Sequence, residues 1–249
     1  MTIAELSECV VIVFMKILGV DSTATSASAS ILSDDKILSL EFSNTGLTHS
    51  QTLLTMVDNA LKTANLSIND IDYFAVSKGP GSFTGVRIGV ALIKGLSQPL
   101  NKKCIAVSTL EVIAKPLENT GVLAVAVMDA RCSQVYTAQF DCENGLNRLN
   151  PDEAITIDEL TQKLSSVNKT IVLIGDGANI CYKKMKDALS NVKIAPLGIR
   201  YQSAASVVAI AKEVIECDEG SAISSNELLP SYLRLSQAER ELKKKIENK

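Results

Sequence analysis

Apolar and polar positions along this chain alternate between the periods of strand and helix. Residues 16–21, Lys-Ile-Leu-Gly-Val-Asp, predict a buried strand that ends on a carboxylate, Asp21. Residues 27–32 and 37–42 predict two more strands. Ser33-Asp34-Asp35 lies between them as a hairpin turn. From His49 to Leu66 the period lengthens, and Leu53, Val57, Ala60, Leu61 and Ala64 share one helical face. A strand over 71–77 follows, then the loop Lys78-Gly79-Pro80-Gly81-Ser82-Phe83, then a helix from Thr84 to about Leu96. A strand over 104–107 and a helix to about Lys115, with Ser108 as its cap, close the first half.

The second half restarts the rhythm. Strands are predicted over 122–128, ending at Asp129, over 134–140 and over 145–149. A helix spans 157–164 and a strand 170–174. Gly175-Asp176-Gly177-Ala178 is a glycine turn before a helix to about Leu189. A short strand over 192–195 and a helix over 203–215 complete the unit. Both halves run strand–Asp–turn, further strands, helix, strand, Gly-x-Gly turn, helix, strand, helix. The pattern predicts a duplicated α/β fold, with lobes over 15–115 and 116–225 and an extended segment and charged helix over 226–249.

Composition narrows the function classes. Hydrophobic residues make up 46% and charged residues 21% of 249, which is enough apolar side chain for a packed core. The net charge of −3 and a pI near 5.4 exclude a broad basic footprint. One histidine, His49, excludes any site built on two. Six scattered cysteines without a CxxC pair speak for buried thiols and against a disulfide scaffold. Residues 1–14 hold the short run Val10-Val11-Ile12-Val13-Phe14 without a basic region. They read as an extension before a functional start at Met15, and neither as a membrane span nor as a signal peptide. A cytoplasmic protein without membrane attachment is expected.

The densest chemical signal is Gly79-Pro-Gly-Ser-Phe-Thr-Gly-Val-Arg87. Glycines between a strand and a helix allow close backbone approach. Amides at a helix N-terminus favour anions, so Gly79, Gly81, Ser82, Thr84 and Gly85 form a candidate anion or nucleotide loop. A tight packing turn accounts for the loop equally well, because neither the Walker A pattern nor the dinucleotide fingerprint is met. The helix that follows is apolar nearly all round, so it needs a second cover beyond its own sheet. Asp21 and Asp129 end the first strand of each half, where α/β folds place ligand groups. Neither turn after them, Ser22–Thr25 or Ala130–Ser133, carries glycine for a phosphate.

Together, Met15-Lys-Ile-Leu-Gly-Val-Asp21-Ser, the His49-Ser pair, the glycine run and Leu228-Leu-Pro-Ser-Tyr-Leu-Arg-Leu-Ser-Gln-Ala-Glu-Arg240 resemble the TsaB (YeaZ) family over about residues 15–240. Gln51 stands where a Glu is common in that family. The resemblance implies an actin-like, Hsp70-like duplicated fold without a catalytic site, metal site or cofactor of its own. It implies a role as partner of TsaD in threonylcarbamoylation of adenosine 37 of ANN-decoding tRNAs. TsaE would join the pair, tRNA would be met through the complex, and nucleotide would sit at the TsaD or TsaE interface. The helices near 49–64 and 84–96 would pack against TsaD, or against a second copy when TsaD is absent. Expected contacts are His49, Leu53, Leu54, Val57, Val86, Val90 and Ile93, with Arg87 as an orienting polar group. Two other classes remain open at this point: an actin-like ATP-dependent kinase, and a metallopeptidase-like protein.

Overall fold

The computed structural model describes residues 15–234; the predicted extension over 1–14 and the charged helix after Ser236 lie outside the described residues. The N-terminal sheet holds β1 (Lys16–Asp21), β2 (Ala27–Ser33), β3 (Lys36–Ser43), β4 (Tyr73–Ser77) and β5 (Lys103–Val107) in the order β3-β2-β1-β4-β5. β1 pairs antiparallel with β2 and parallel with β4. The C-terminal sheet holds β6 (Leu123–Asp129), β7 (Gln134–Asp141), β8 (Asn147–Arg148), β9 (Glu153–Thr156), β10 (Ile171–Ile174) and β11 (Val192–Ile194). Its order, β11-β10-β6-β7-β8, is the same when read from the other edge, with β6 parallel to β10 and antiparallel to β7. The duplication predicted from the pattern is therefore present in the strand topology.

The helices are α1 (His49–Ala64), α2 (Phe83–Ser97), α3 (Thr109–Ala114), α4 (Ile157–Leu164), α5 (Ala178–Met185) and α6 (Ala204–Cys217). Local sequence explains their ends. α1 stops at Asn65, which adopts the left-handed conformation (φ 54°) and returns its amide to Lys62. Thr156 and Glu159 form a reciprocal capping box at the start of α4. Ser82 caps α2 by accepting from the Gly85 amide. Ser108, the predicted cap of α3, makes no cap bond; its hydroxyl donates to Asp152 in the other half of the chain. Of the strand predicted over 145–149, only Asn147–Arg148 (β8) is strand, and a further short strand that the pattern does not predict, β9, follows over Glu153–Thr156; both pair with β7. Pro151 has no amide to continue a ladder, and the Asn150 side chain accepts from the Gln139 amide in its place.

α1 and α2 cover one face of the N-terminal sheet, where Leu53, Val57, Val86, Val90 and Ile93 pack with Leu18, Val20 and Phe74. α4 and α5 cover the matching face of the C-terminal sheet. The inner faces are covered crosswise. α3 lays Leu110 and Ile113 on the C-terminal sheet with Ala126 and Phe140, while α6 lays Val207, Val208 and Ala211 on the N-terminal sheet with Ile17 and Ala75. Gly19 of β1 makes room for α6, because a Cβ there would meet a Val208 methyl at 2.6 Å. Each half thus supplies a helix to the other.

Candidate functional site at the interlobe cleft

The β1 and β6 turns and the two glycine turns face one another across a cleft of about 650 Å³. Thr23, Thr25, Ser82 and Thr84 line it from one side; Asp129, Arg131, Tyr136 and Asp176 line it from the other, with Arg234 at its edge. The glycine turns are related by the duplication. Gly79 and Gly175 both take φ +116°, a conformation that side chains rarely adopt. The space beside each glycine is filled by the chain itself: a Cβ on Gly79 would strike the Ser231 carbonyl, on Gly81 the Thr23 carbonyl, on Gly85 the Ser22 carbonyl and on Gly175 the Val127 carbonyl.

Hydrogen bonds close the same junction. The Ser82 amide donates to Thr23 O at 2.7 Å, the Gly85 amide to Ser82 Oγ, and Ser22 Oγ to Gly85 O at 2.9 Å. At Gly79, Gly81, Ser82 and Gly85 the loop is packed against the chain itself. Their backbone holds strand ends and tail against the helix, which is the packing-turn alternative. Thr84 is exposed at the cleft, in the first turn of α2.

The two candidate carboxylates differ. Asp21 is fully buried, and its Oδ1 accepts from the Thr23 amide and hydroxyl at 3.0 Å each. Burial raises its pKa above the usual carboxylate value; Ser77, the Thr23 donors and the charge of His49 pull the other way. It therefore holds its own turn and does not face the cleft. Asp129 is exposed at the cleft, and its Oδ1 accepts from the Arg131 amide at 2.7 Å.

Asp176, which the sequence marked only as part of a glycine turn, accepts from the Asp129 amide at 3.2 Å. Loss of water around it pushes its pKa up to about 6, with the Asp129 amide opposing and the Asp129 charge adding to the rise. The folded protein thus keeps a proton here that the unfolded chain loses near pH 4, so this carboxyl's contribution falls as pH rises from about 4 to 6. Asp176→Asn is expected to match the wild type near pH 4 and to exceed it by up to about 3 kcal/mol well above pH 6. Urea melts at the two pH values check this.

The predicted contact residues separate into two groups. Leu53, Val57, Val86, Val90 and Ile93 are at most 4% exposed and belong to the core under α1 and α2, so they are not outward contacts. Sheet and helices share the same apolar stripe, and periodicity cannot tell which side of it is covered. Leu54 is 56% exposed on α1. His49 is half-buried, and its Nε2 donates to Ala24 O at 2.7 Å, tying α1 to the β1–β2 turn. Arg87 is exposed, but its Nε donates to Tyr232 Oη at 2.7 Å, and Tyr232 stacks on Phe83 with ring centres 4.7 Å apart.

That contact belongs to a strap that the sequence did not reveal as such. Ile223 bridges Cys104, Leu228 is buried beside α2, Lys94 Nζ donates to Leu228 O, and the Ser231 amide donates to Lys78 O. Arg234 then crosses to Ala130 O in the other lobe at 3.1 Å. Its one signal in the sequence was the apolar, proline-centred run after Asn226.

Comparison with known proteins agrees with this architecture. A family model described as TsaD, tRNA N6-adenosine threonylcarbamoyltransferase, matches residues 43–242. The tRNA threonylcarbamoyladenosine biosynthesis protein TsaB of Escherichia coli is 35% identical over 167 residues, 66% of this chain and 72% of that protein. TsaB of Bacillus subtilis is 28% identical over 226 residues, 90% of this chain and 96% of that protein. The structure of YeaZ from Pseudomonas aeruginosa superposes with a TM-score of 0.74 at 22% identity, over 88% of this chain and all of that one, and shows the same fold. The duplicated actin-like topology, the matching family model and the two TsaB relatives together place this chain in the TsaB (YeaZ) family, within the wider group that the TsaD model describes.

Proposed function

We propose that this protein is the non-catalytic partner subunit of TsaD in threonylcarbamoylation of adenosine 37 of ANN-decoding tRNAs. The observation that carries the non-catalytic part is the closed state of the glycine turns. In both halves, backbone carbonyls fill the space beside the glycines, and Asp21 is buried in its own turn. Glycines that could cradle a ligand serve here to lock strand ends to helices.

The partner face is the outer side of α1 and α2. These helices lie side by side and leave Leu54 and Ala91 exposed, with Leu61, Ile88 and Leu92 half-exposed between them. An apolar stripe of this kind suits a helix pair from a related protein. In the absence of TsaD it suits a second copy of this chain. Nucleotide, in this reading, belongs to the junction with TsaD or TsaE, and tRNA is engaged through the complex.

Co-purification with TsaD of the same organism, followed by modification assays with each protein alone and both together, tests the proposal. Modified tRNA is expected only from the mixture, with no ATP turnover by this chain alone. Modification or sustained ATP turnover by this chain alone would overturn it.

A further inference from the structure

The strap runs along α2 in the direction opposite to the helix. Lys94 Nζ donates to Leu228 O at 3.2 Å, and Arg87, on the same stripe of α2, donates from Nε to Tyr232 Oη at 2.7 Å. Leu228 is buried, and the Ser231 amide donates to Lys78 O at 2.7 Å, so the strap is fastened to the N-terminal lobe up to Ser231. Beyond that point it makes two contacts of different kinds. Tyr232 stacks on Phe83 and meets Arg87 on the outer side of α2, where both are exposed. Arg234 crosses to the C-terminal lobe, where its Nη1 donates to Ala130 O at 3.1 Å. Tyr232 and Arg234 are two residues apart, about 7 Å of chain at full extension, so neither contact can open far without pulling on the other.

Ala130 begins the turn of the β6–β7 hairpin. The next three residues all take positive φ without being glycine: Arg131 (64°), Cys132 (53°) and Ser133 (57°). Such a run is disfavoured for L-residues and persists only where its surroundings hold it. Within the hairpin, the Ala130 amide donates to Gln134 O and the Gln134 amide to Arg131 O. The bond from Arg234 is a tie on this turn from the opposite lobe.

We propose that the strap is a latch coupling the outer face of α2 to the β6–β7 hairpin. A protein that covers Arg87 also covers Tyr232, and it meets Tyr232 in place only while the strap is down. It therefore binds the latched state better, and the latched state holds the hairpin through Arg234. The coupling is reciprocal: opening the far end at Arg234 weakens binding at the α2 face by the same factor. The latch is a property of this chain; the identity of the covering protein as TsaD rests on the proposed function.

Amide hydrogen exchange on the full-length chain tests the latch. Tyr232→Ala removes no atom of the Arg234–Ala130 bond, yet it is expected to speed exchange of the Ala130 and Gln134 amides about fivefold or more, as Arg234→Met does. The Ser231 amide, on the pivot, is expected to keep its wild-type rate. Tyr232→Phe keeps the ring and loses only the hydroxyl, and serves if the alanine variant perturbs the fold by circular dichroism. Wild-type exchange at the hairpin in the Tyr232 variants overturns the latch. In the second arm TsaD is added. Hairpin exchange is expected to slow about fivefold or more in the wild type and not in Arg234→Met, which binds TsaD more weakly by the same factor although it lies outside α1 and α2. Slowing retained in Arg234→Met, or unchanged affinity of that variant, overturns the coupling. Failure of TsaD to bind the wild type overturns the proposed function instead, and the first arm still decides the latch.

Discussion

Gly85→Ala is expected to destabilise the protein by about 3 kcal/mol, lowering the melting temperature by about 6–12 °C. The new methyl group would enter the Ser22 carbonyl oxygen, well inside van der Waals contact. Neither side can yield easily. Ser22 is 1% exposed, its hydroxyl donates to Gly85 O, and the adjacent Ser82 amide is bonded to Thr23 O. Relief would require the β1 turn to part from the start of α2, breaking those bonds in a buried setting. Gly95, ten residues on in the same helix, is the control. It is exposed, and a Cβ there meets nothing within 4 Å. Gly95→Ala is expected to stabilise by about 1 kcal/mol, the helix-propensity difference between glycine and alanine. Thermal and urea melts of the two variants check both signs. Equal effects would mean that α2 does not abut the β1 turn as described.

The second large effect separates fold from partner binding. Val90→Glu is expected to unfold the protein or cost about 3–5 kcal/mol, because Val90 is 4% exposed and packed in the core with Val86, Ile93 and Phe74. Against a total stability of about 5–15 kcal/mol, that loss is decisive. Substitutions at Val86 or Val90 therefore report on the core and say little about TsaD. Leu54→Glu reports on the partner. Leu54 is 56% exposed, so the isolated variant should melt within about 0.5 kcal/mol of the wild type while TsaD binding falls at least tenfold. A Leu54→Glu variant that still co-purifies with TsaD at full yield would place the interface elsewhere.

The strap contributes to the same surface. The family resemblance implies that Arg87 orients a partner, and in this structure it is engaged by Tyr232 of the strap beside Phe83. Partner recognition near Arg87 would thus involve the strap as well as the helix.

What is legible in the amino-acid sequence follows from the range of each interaction. β1 and α4 lie where the pattern predicts them, and α1 and α2 start within a residue of their predicted starts, because periodicity, capping residues and turn residues act over a few positions. The duplication is legible for the same reason: repeated local patterns fold to repeated strand order. The family resemblance rests on motifs that survive as strings. Local pattern therefore specifies most of the elements and their order, and misses β9, whose place is fixed by its pairing with β7.

Which side of each apolar stripe is covered is settled by tertiary packing and by nothing shorter in range. Leu53 and Leu54 are adjacent, yet one is 1% exposed and the other 56%, because the sheet takes one face of α1 and leaves the other. Packing also settles the use of the glycines. An open anion loop and a closed packing turn need the same residue, and the difference lies in whether Ser22, Thr23 and Ser231 fill the space. Ala130 and Arg234 are more than a hundred residues apart in the chain and meet only because the strap crosses the cleft. Contacts between distant segments depend on the sum of packing over the whole chain, and no local pattern records that sum.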